Sequence, residues 1–230
     1  MIDNDYNQDR WHACANKEEL QLVVLEKIVS NAEKAISNRS QFHIVLAGGG
    51  TPRDIYKRLR TIKTDWTKWH IYFGDERCLP IDDPERNSAM AKEAWLDHVA
   101  IPSQQIHMIP AELGPSKASE IYNDVLRKIE DFDVVLLGLG EDGHTASLFP
   151  SHDWGTEPDA KDVLAIYDSP KPPPERVSLS ACRLSRASHV IFIVTGKSKL
   201  EAMSQWRAGK DIPARAIQPT KGVDVYMNLD

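Results

Sequence analysis

Phe42-His43-Ile44-Val45-Leu46-Ala47-Gly48-Gly49-Gly50-Thr51-Pro52-Arg53-Asp54 runs from a short apolar stretch through three glycines into the start of a helix. Glycines let a ligand or another backbone come close. Thr51 is a good N-cap, Pro52 suits the first helical position, and Asp54 completes a cap-like pattern. Free amide N–H groups at such a turn point at an anion, most often a phosphate. A tight turn without ligand is also compatible with these residues, and no Gly-Lys-Ser/Thr ending marks a nucleotide loop.

The strand and helix signals continue on either side. Asn16, followed three residues later by Glu19, opens a helical pattern through Leu20, Val23, Val24, Ile28, Ala32 and Ala35. Strand patterns cover Trp69 to Phe73, Phe132 to Leu137, Val163 to Tyr167, Val177 to Ser180 and His189 to Val194. Helical patterns cover Asn87 to Val99, Lys117 to Ile129 and about Lys197 to Arg207. Near-continuously apolar strands separated by helices predict an α/β fold, a mostly parallel sheet with helices on both faces. Ligands of such sheets bind at the carboxyl ends of the strands. No linker divides residues 1–230, so one domain is expected, with residues 1–16 as a peripheral N-terminal segment.

The 230 residues are 41% hydrophobic and 27% charged, enough to bury a substantial core. Lys and Arg total 28 against 34 Asp and Glu, a net charge of −6, which gives no global field to gather nucleic acid or an anionic membrane. An anionic ligand must therefore be held by local donors. Cys14, Cys78 and Cys182 form no CxxC pair, so neither a disulfide framework nor a cysteine zinc site is expected. No stretch has the length of a bilayer span or the layout of a secretion signal, and a cytoplasmic protein is the expectation.

Several segments carry candidate chemistry. Gly74-Asp75-Glu76-Arg77 places three charges at a strand end, ahead of Cys78-Leu79-Pro80; a solvated loop is the plain alternative. In Leu136-Leu137-Gly138-Leu139-Gly140-Glu141-Asp142-Gly143-His144-Thr145-Ala146-Ser147-Leu148-Phe149-Pro150 the glycines formally satisfy GxGxxG. Pro150 falls where the helix of a dinucleotide site should run, so that reading fails. What remains is a strand exit carrying Asp142 and His144 across a glycine, and an imidazole beside a carboxylate suits general-base work near neutral pH. Ser169-Pro170-Lys171-Pro172-Pro173-Pro174 reads as a stiff extended loop delivering Arg176. Thr195-Gly196-Lys197 adds another cation at a strand end. Ser147 and Ser151 lie outside any GxSxG elbow, and His107, His152 and His189 lack metal-ligand spacing, so neither a serine nucleophile nor a metal is expected.

AGGGTP, GDER, GLGEDGHTASLFP, PPPERVSLS and TGKSK, in this order, make the chain resemble the 6-phosphogluconolactonases over about residues 17 to 228. The resemblance implies a modified Rossmann-like sandwich related to glucosamine-6-phosphate deaminases. It also implies cofactor-free hydrolysis of 6-phospho-D-glucono-1,5-lactone in the pentose phosphate pathway. Carried over, it makes His144 the general base, Asp142 its orienting partner and Arg77 the stabiliser of the carbonyl oxygen. Gly49, Gly50, Thr51, Arg176 and Lys197 would anchor the phosphate, and Asp75 matches an acid at the second strand end of the deaminases. The expected partner is a small sugar-phosphate lactone, with no nucleic acid and no membrane, and the chain would act as a monomer or homodimer. Two rivals remain, a sugar-phosphate deaminase or isomerase of the same fold and a non-enzymatic sugar-phosphate sensor. In the resembling deaminases the segment after His reads like IAFNEP, with Glu five positions on, where this chain has Phe149.

Overall fold

The computed structural model describes residues 9–230. In chain order they form β1 (Arg10–Ala13), α1 (Lys17–Arg39), β2 (Phe42–Leu46), α2 (Gly50–Leu59), β3 (Trp69–Phe73), β4 (Asp75–Arg77), α3 (Asn87–Ala94) and β5 (Ile106–His107). There follow α4 (Pro115–Leu126), β6 (Phe132–Gly138), β7 (Val163–Ile166), β8 (Arg176–Leu179), α5 (Ala181–Ser185), β9 (Ala187–Thr195), α6 (Leu200–Arg207) and β10 (Val223–Asn228).

Asn16 caps α1 as expected. Its Oδ1 accepts the Glu19 amide at 2.8 Å, while a Glu19 carboxylate oxygen accepts the Ala15 amide. The stripe Leu20, Val24, Ile28, Ala32 and Ala35 is buried, and α1 lies across β2, β6 and β10. Each fully buried Leu, Val or Ile there contributes roughly 1.5–3 kcal/mol. All five residues of β2 are buried, as are the first six of β6, so both faces of the sheet are covered and the α/β expectation holds.

Seven strands form one parallel sheet in the order β1-β10-β9-β6-β2-β3-β5. From β2 the chain winds one way through β3 and β5. From β6 it winds the other way through β9 and β10. The direction therefore reverses between β2 and β6, opening a crevice above their carboxyl ends. Arg10–Ala13 forms the edge strand, and residues 1–8 of the segment expected to be peripheral lie outside the described residues.

Some local expectations need correction. β7 and β8 are not part of the parallel sheet; with β4 they make a separate antiparallel sheet, β4-β8-β7. Gly74–Arg77 is thus a strand in part and no free loop. Gly74 joins the two sheets: its N–H donates to Leu46 O at 3.1 Å and its carbonyl accepts the Leu179 amide at 2.8 Å. Thr51 is not an N-cap. The cap is Gly49 at φ 109°, a conformation that only glycine adopts freely, and Thr51 sits in the first turn with its hydroxyl 2.9 Å from that of Thr195. Asp54 pairs with Lys17 at 2.9 Å. The expected helix from Lys197 begins as a 3₁₀ turn, Lys197–Lys199, before α6.

Glu76, 0% exposed, locks the antiparallel sheet to α3. Its carboxylate accepts the amides of Arg77 (2.9 Å), Asn87 (2.8 Å) and Ser88 (2.9 Å), and Arg86 Nε lies 3.5 Å away. Arg86, equally buried, donates to Ile109 O at 2.7 Å and to Glu112 at 2.9 Å. Removing one partner from such an arrangement strands a buried charge. Glu76→Gln is therefore expected to lower unfolding free energy by about 3 kcal/mol, read from urea denaturation against the parent.

Candidate active site

The crevice between β2 and β6 holds a cavity of about 320 Å³. Its wall is built from the ends of three neighbouring strands: Ala47, Gly48 and Gly49 after β2, Gly74 and Asp75 after β3, and Leu139 and Gly140 after β6. Asn87, His144, Thr145 and Ala146 complete it together with Arg77, Lys171, Arg176 and Lys199. Four cations and one carboxylate thus face a single hollow in a chain of net charge −6. Such a local excess focuses an anion regardless of the global charge.

The segment after β6 is shaped by tight backbone turns. Gly143 has φ 83°, and a side chain there would run into Ile212; its carbonyl accepts the Ala214 amide at 3.0 Å. Ala146 is also left-handed, at φ 48°, a conformation that costs a non-glycine residue about 1 kcal/mol. Two side chains pin the segment: Thr145 Oγ1 donates to Gly138 O at 2.9 Å, and Ser147 Oγ donates to Asp75 Oδ2 at 2.6 Å. Asp75 Oδ1 accepts Asn87 Nδ2 at 3.0 Å. The buried Asp75 therefore ties the segment after β6 to α3.

His144 Nδ1 lies 2.5 Å from Asp142 Oδ1. An ionised carboxylate only accepts, so Nδ1 carries the proton and Nε2 keeps its lone pair. Burial holds the imidazole below its usual 6.5, against the opposing pull of Asp142. Burial alone would raise Asp142, but the hydrogen bond and charge of His144 win and hold it below 3.8. Gly140 lies against the imidazole so closely that a Cβ there would overlap the ring.

Of the residues singled out from sequence, Gly49, Asp75, Arg77, Arg176 and His144 line the cavity. Asp142 stands behind His144, outside the wall. Gly50, Thr51 and Lys197 are not on it either, and Lys197 is exposed. Arg176 is buried, with Nε donating to Pro173 O at 3.2 Å and Nη2 to Lys171 O at 3.2 Å and Pro172 O at 3.0 Å. The loop does not merely deliver Arg176; Arg176 holds the loop, and the loop places Lys171 in the wall. Lys171, Lys199 and Asn87 were not singled out, since isolated Lys and Asn residues are ordinarily surface groups.

Over residues 15–226 the sequence matches the family described as glucosamine-6-phosphate isomerases/6-phosphogluconolactonase. The chain belongs to this family. A Synechocystis relative named 6-phosphogluconolactonase is 37% identical over 217 residues, 89% of each chain. The crystal structure of 6-phosphogluconolactonase from Thermotoga maritima matches with a TM-score of 0.88 at 28% identity, covering 95% of this chain and 99% of that one. The 6-phosphogluconolactonase structure from Trypanosoma brucei matches at 0.83 and 29% identity, covering 95% of each. Within this glucosamine-6-phosphate isomerase/6-phosphogluconolactonase chain, the described residues contain no group of three or more His, Cys, Asp or Glu able to hold a metal. No helix among them is long and apolar enough to cross a membrane.

Gly140→Ala tests the contact beneath the imidazole. The added methyl displaces the ring and breaks its bond to Asp142, so the Asp142 carboxyl is expected to rise toward 3.8 in an NMR pH titration. An unchanged titration would show that the pair does not need the glycine.

Proposed function

We propose that this chain hydrolyses 6-phospho-D-glucono-1,5-lactone to 6-phospho-D-gluconate, the lactonase step of the pentose phosphate pathway, without a cofactor. The observation that carries the reading is the His144–Asp142 pair, opening onto a cavity ringed by cations at the reversal point of the sheet. Membership of the family and the lactonase names of its relatives agree with it.

Neutral His144 takes a proton through Nε2 from a water molecule as the water oxygen bonds to the lactone carbonyl carbon. Arg77 faces the negative charge that develops on the carbonyl oxygen. Collapse of the tetrahedral intermediate breaks the bond from that carbon to the ring oxygen, and the imidazolium returns the proton to the departing oxygen. Asp142 holds the imidazole in the required tautomer throughout. Gly49, presented by the turn through Gly50 and Thr51, anchors the phosphate together with Lys199 and the remaining Nη1 of Arg176, and the binding energy orients the carbonyl. Lys199 takes the place given to Lys197, because Lys199 faces the cavity and Lys197 faces outward. The enzyme works in the cytoplasm, as a monomer or homodimer; its three cysteines are free.

The deaminase reading is disfavoured by position 149. The residue five beyond His144 packs on the imidazole, and it is a phenylalanine, so no carboxylate stands there to complete a proton relay. The test is acid release from fresh lactone over its spontaneous background, run beside ammonia release from glucosamine 6-phosphate. Rapid lactone opening with no detectable ammonia is expected; ammonia at a comparable rate would overturn the assignment.

His144→Ala should lower kcat by about 10²–10⁴ while leaving product affinity within a few-fold. Because the free base is the active form and burial depresses its pKa, kcat/KM should be flat at neutral pH and fall as pH drops through an inflection below 6.5. An inflection above that value would place the imidazole in a wetter setting than the one described.

A further inference from the structure

Phe149 is absent from the cavity wall and 1% exposed, yet it touches two of the groups that matter most there. Its ring centroid lies 4.9 Å from that of the His144 imidazole, with the planes at 38°. The Arg176 guanidinium carbon lies 5.8 Å from the same ring. The main chain of Phe149 is itself held: its carbonyl accepts Trp154 Nε1 at 2.6 Å and the His152 amide at 3.3 Å. His144 is thus bounded by Gly140, Asp142 and Phe149 and lines the cavity, and no described residue hydrogen-bonds its Nε2.

We propose that Phe149 is a positioning residue for the hydrolysis, acting through His144 by fixing the imidazole plane against Asp142 and keeping water from the ring everywhere except at Nε2. The inference rests on the proposed lactonase reaction. An imidazole that can turn away from Asp142 loses its tautomer, and a base displaced by a fraction of an ångström loses its line to the attacking water. The same ring supports the Arg176 guanidinium, whose other contacts hold the Lys171 loop, so base and loop share one apolar support.

The charged groups facing His144 come from three elements: Asp142 on its own segment, Asp75 on β4, and Lys171 on the loop before β8. His152 meets Phe149 on its edge, 6.1 Å away. The two carboxylates raise the imidazole pKa and Lys171 lowers it, while burial outweighs each of them. A carboxylate in place of the phenyl would add to the upward pull and favour the cation. A phenyl excludes water without adding charge.

Phe149→Leu and Phe149→Ala test the role by two independent readouts. NMR titration of His144 without substrate is expected to move up toward 6.5, more in Ala than in Leu, because water replaces the ring. Lactone kinetics are expected to show kcat lowered about tenfold in the Ala variant with KM changed less than about twofold, the acid inflection of kcat/KM moving up with the NMR value. Leu keeps much of the apolar volume and carries the test if Ala fails to fold. Parent-like titration of His144 in the folded variants, or losses confined to folded fraction or to KM, would overturn the positioning role. Absence of lactone hydrolysis in the parent would instead overturn the lactonase reading, and the NMR shift would still judge whether Phe149 controls the imidazole.

Discussion

The site depends on Gly74, between β3 and β4, being hydrogen-bonded to both sheets at once. Its N–H continues the parallel ladder onto Leu46, and its carbonyl joins the antiparallel sheet through Leu179. The next residue, Asp75, is therefore held at the crevice, and Arg77 is paired across the antiparallel ladder with Arg176. Backbone hydrogen bonds set this geometry, so the two arginines meet the cavity from adjacent strands. Buried Glu76 then fastens the same strand to the start of α3, bringing Asn87 against Asp75.

Charge is used in two separate ways at this end of the molecule. Glu76 and Arg86 are buried and face each other as an ion pair, Glu76 accepting backbone amides and Arg86 donating to Ile109 O and Glu112, so they support the wall without lining the cavity. Arg77, Lys171, Arg176 and Lys199 face the hollow, where low surrounding dielectric strengthens their action on an anion. Arg176 belongs partly to both groups: Nε and Nη2 organise the proline loop through its carbonyls while the residue still lines the cavity.

His144 shows how small residues and an aromatic ring can hold one imidazole in place. Gly140 permits the imidazole to lie against the backbone, Gly143 turns the chain toward Ile212 and Ala214, and Asp142 takes the Nδ1 proton. Phe149 closes a further side. The result is an imidazole held below its usual 6.5 beside a hollow rich in cations, the setting on which the proposed hydrolysis rests.

Much of the fold was legible in local pattern. Apolar runs such as Phe42–Leu46 and Phe132–Leu137 demand burial on both faces, glycine and proline mark the turns between them, and Asn16 with Glu19 announces a helix. Asp142 and His144 are two residues apart, so their pairing too could be read directly. Other features arise only from contacts across long stretches of chain. β1 and β5 are too short and too polar to signal themselves, and β7 and β8 carry the same β-forming residues whether they join a parallel sheet or an antiparallel one. Lys199 faces the hollow and Lys197 the solvent because the 3₁₀ turn rotates one away from the other. Thr51 meets Thr195 from 144 residues away. Propensity and periodicity act between near neighbours, and so determined the elements; which strand lies beside which, and which cation turns inward, was decided by packing and hydrogen bonding between segments that meet only in the folded chain.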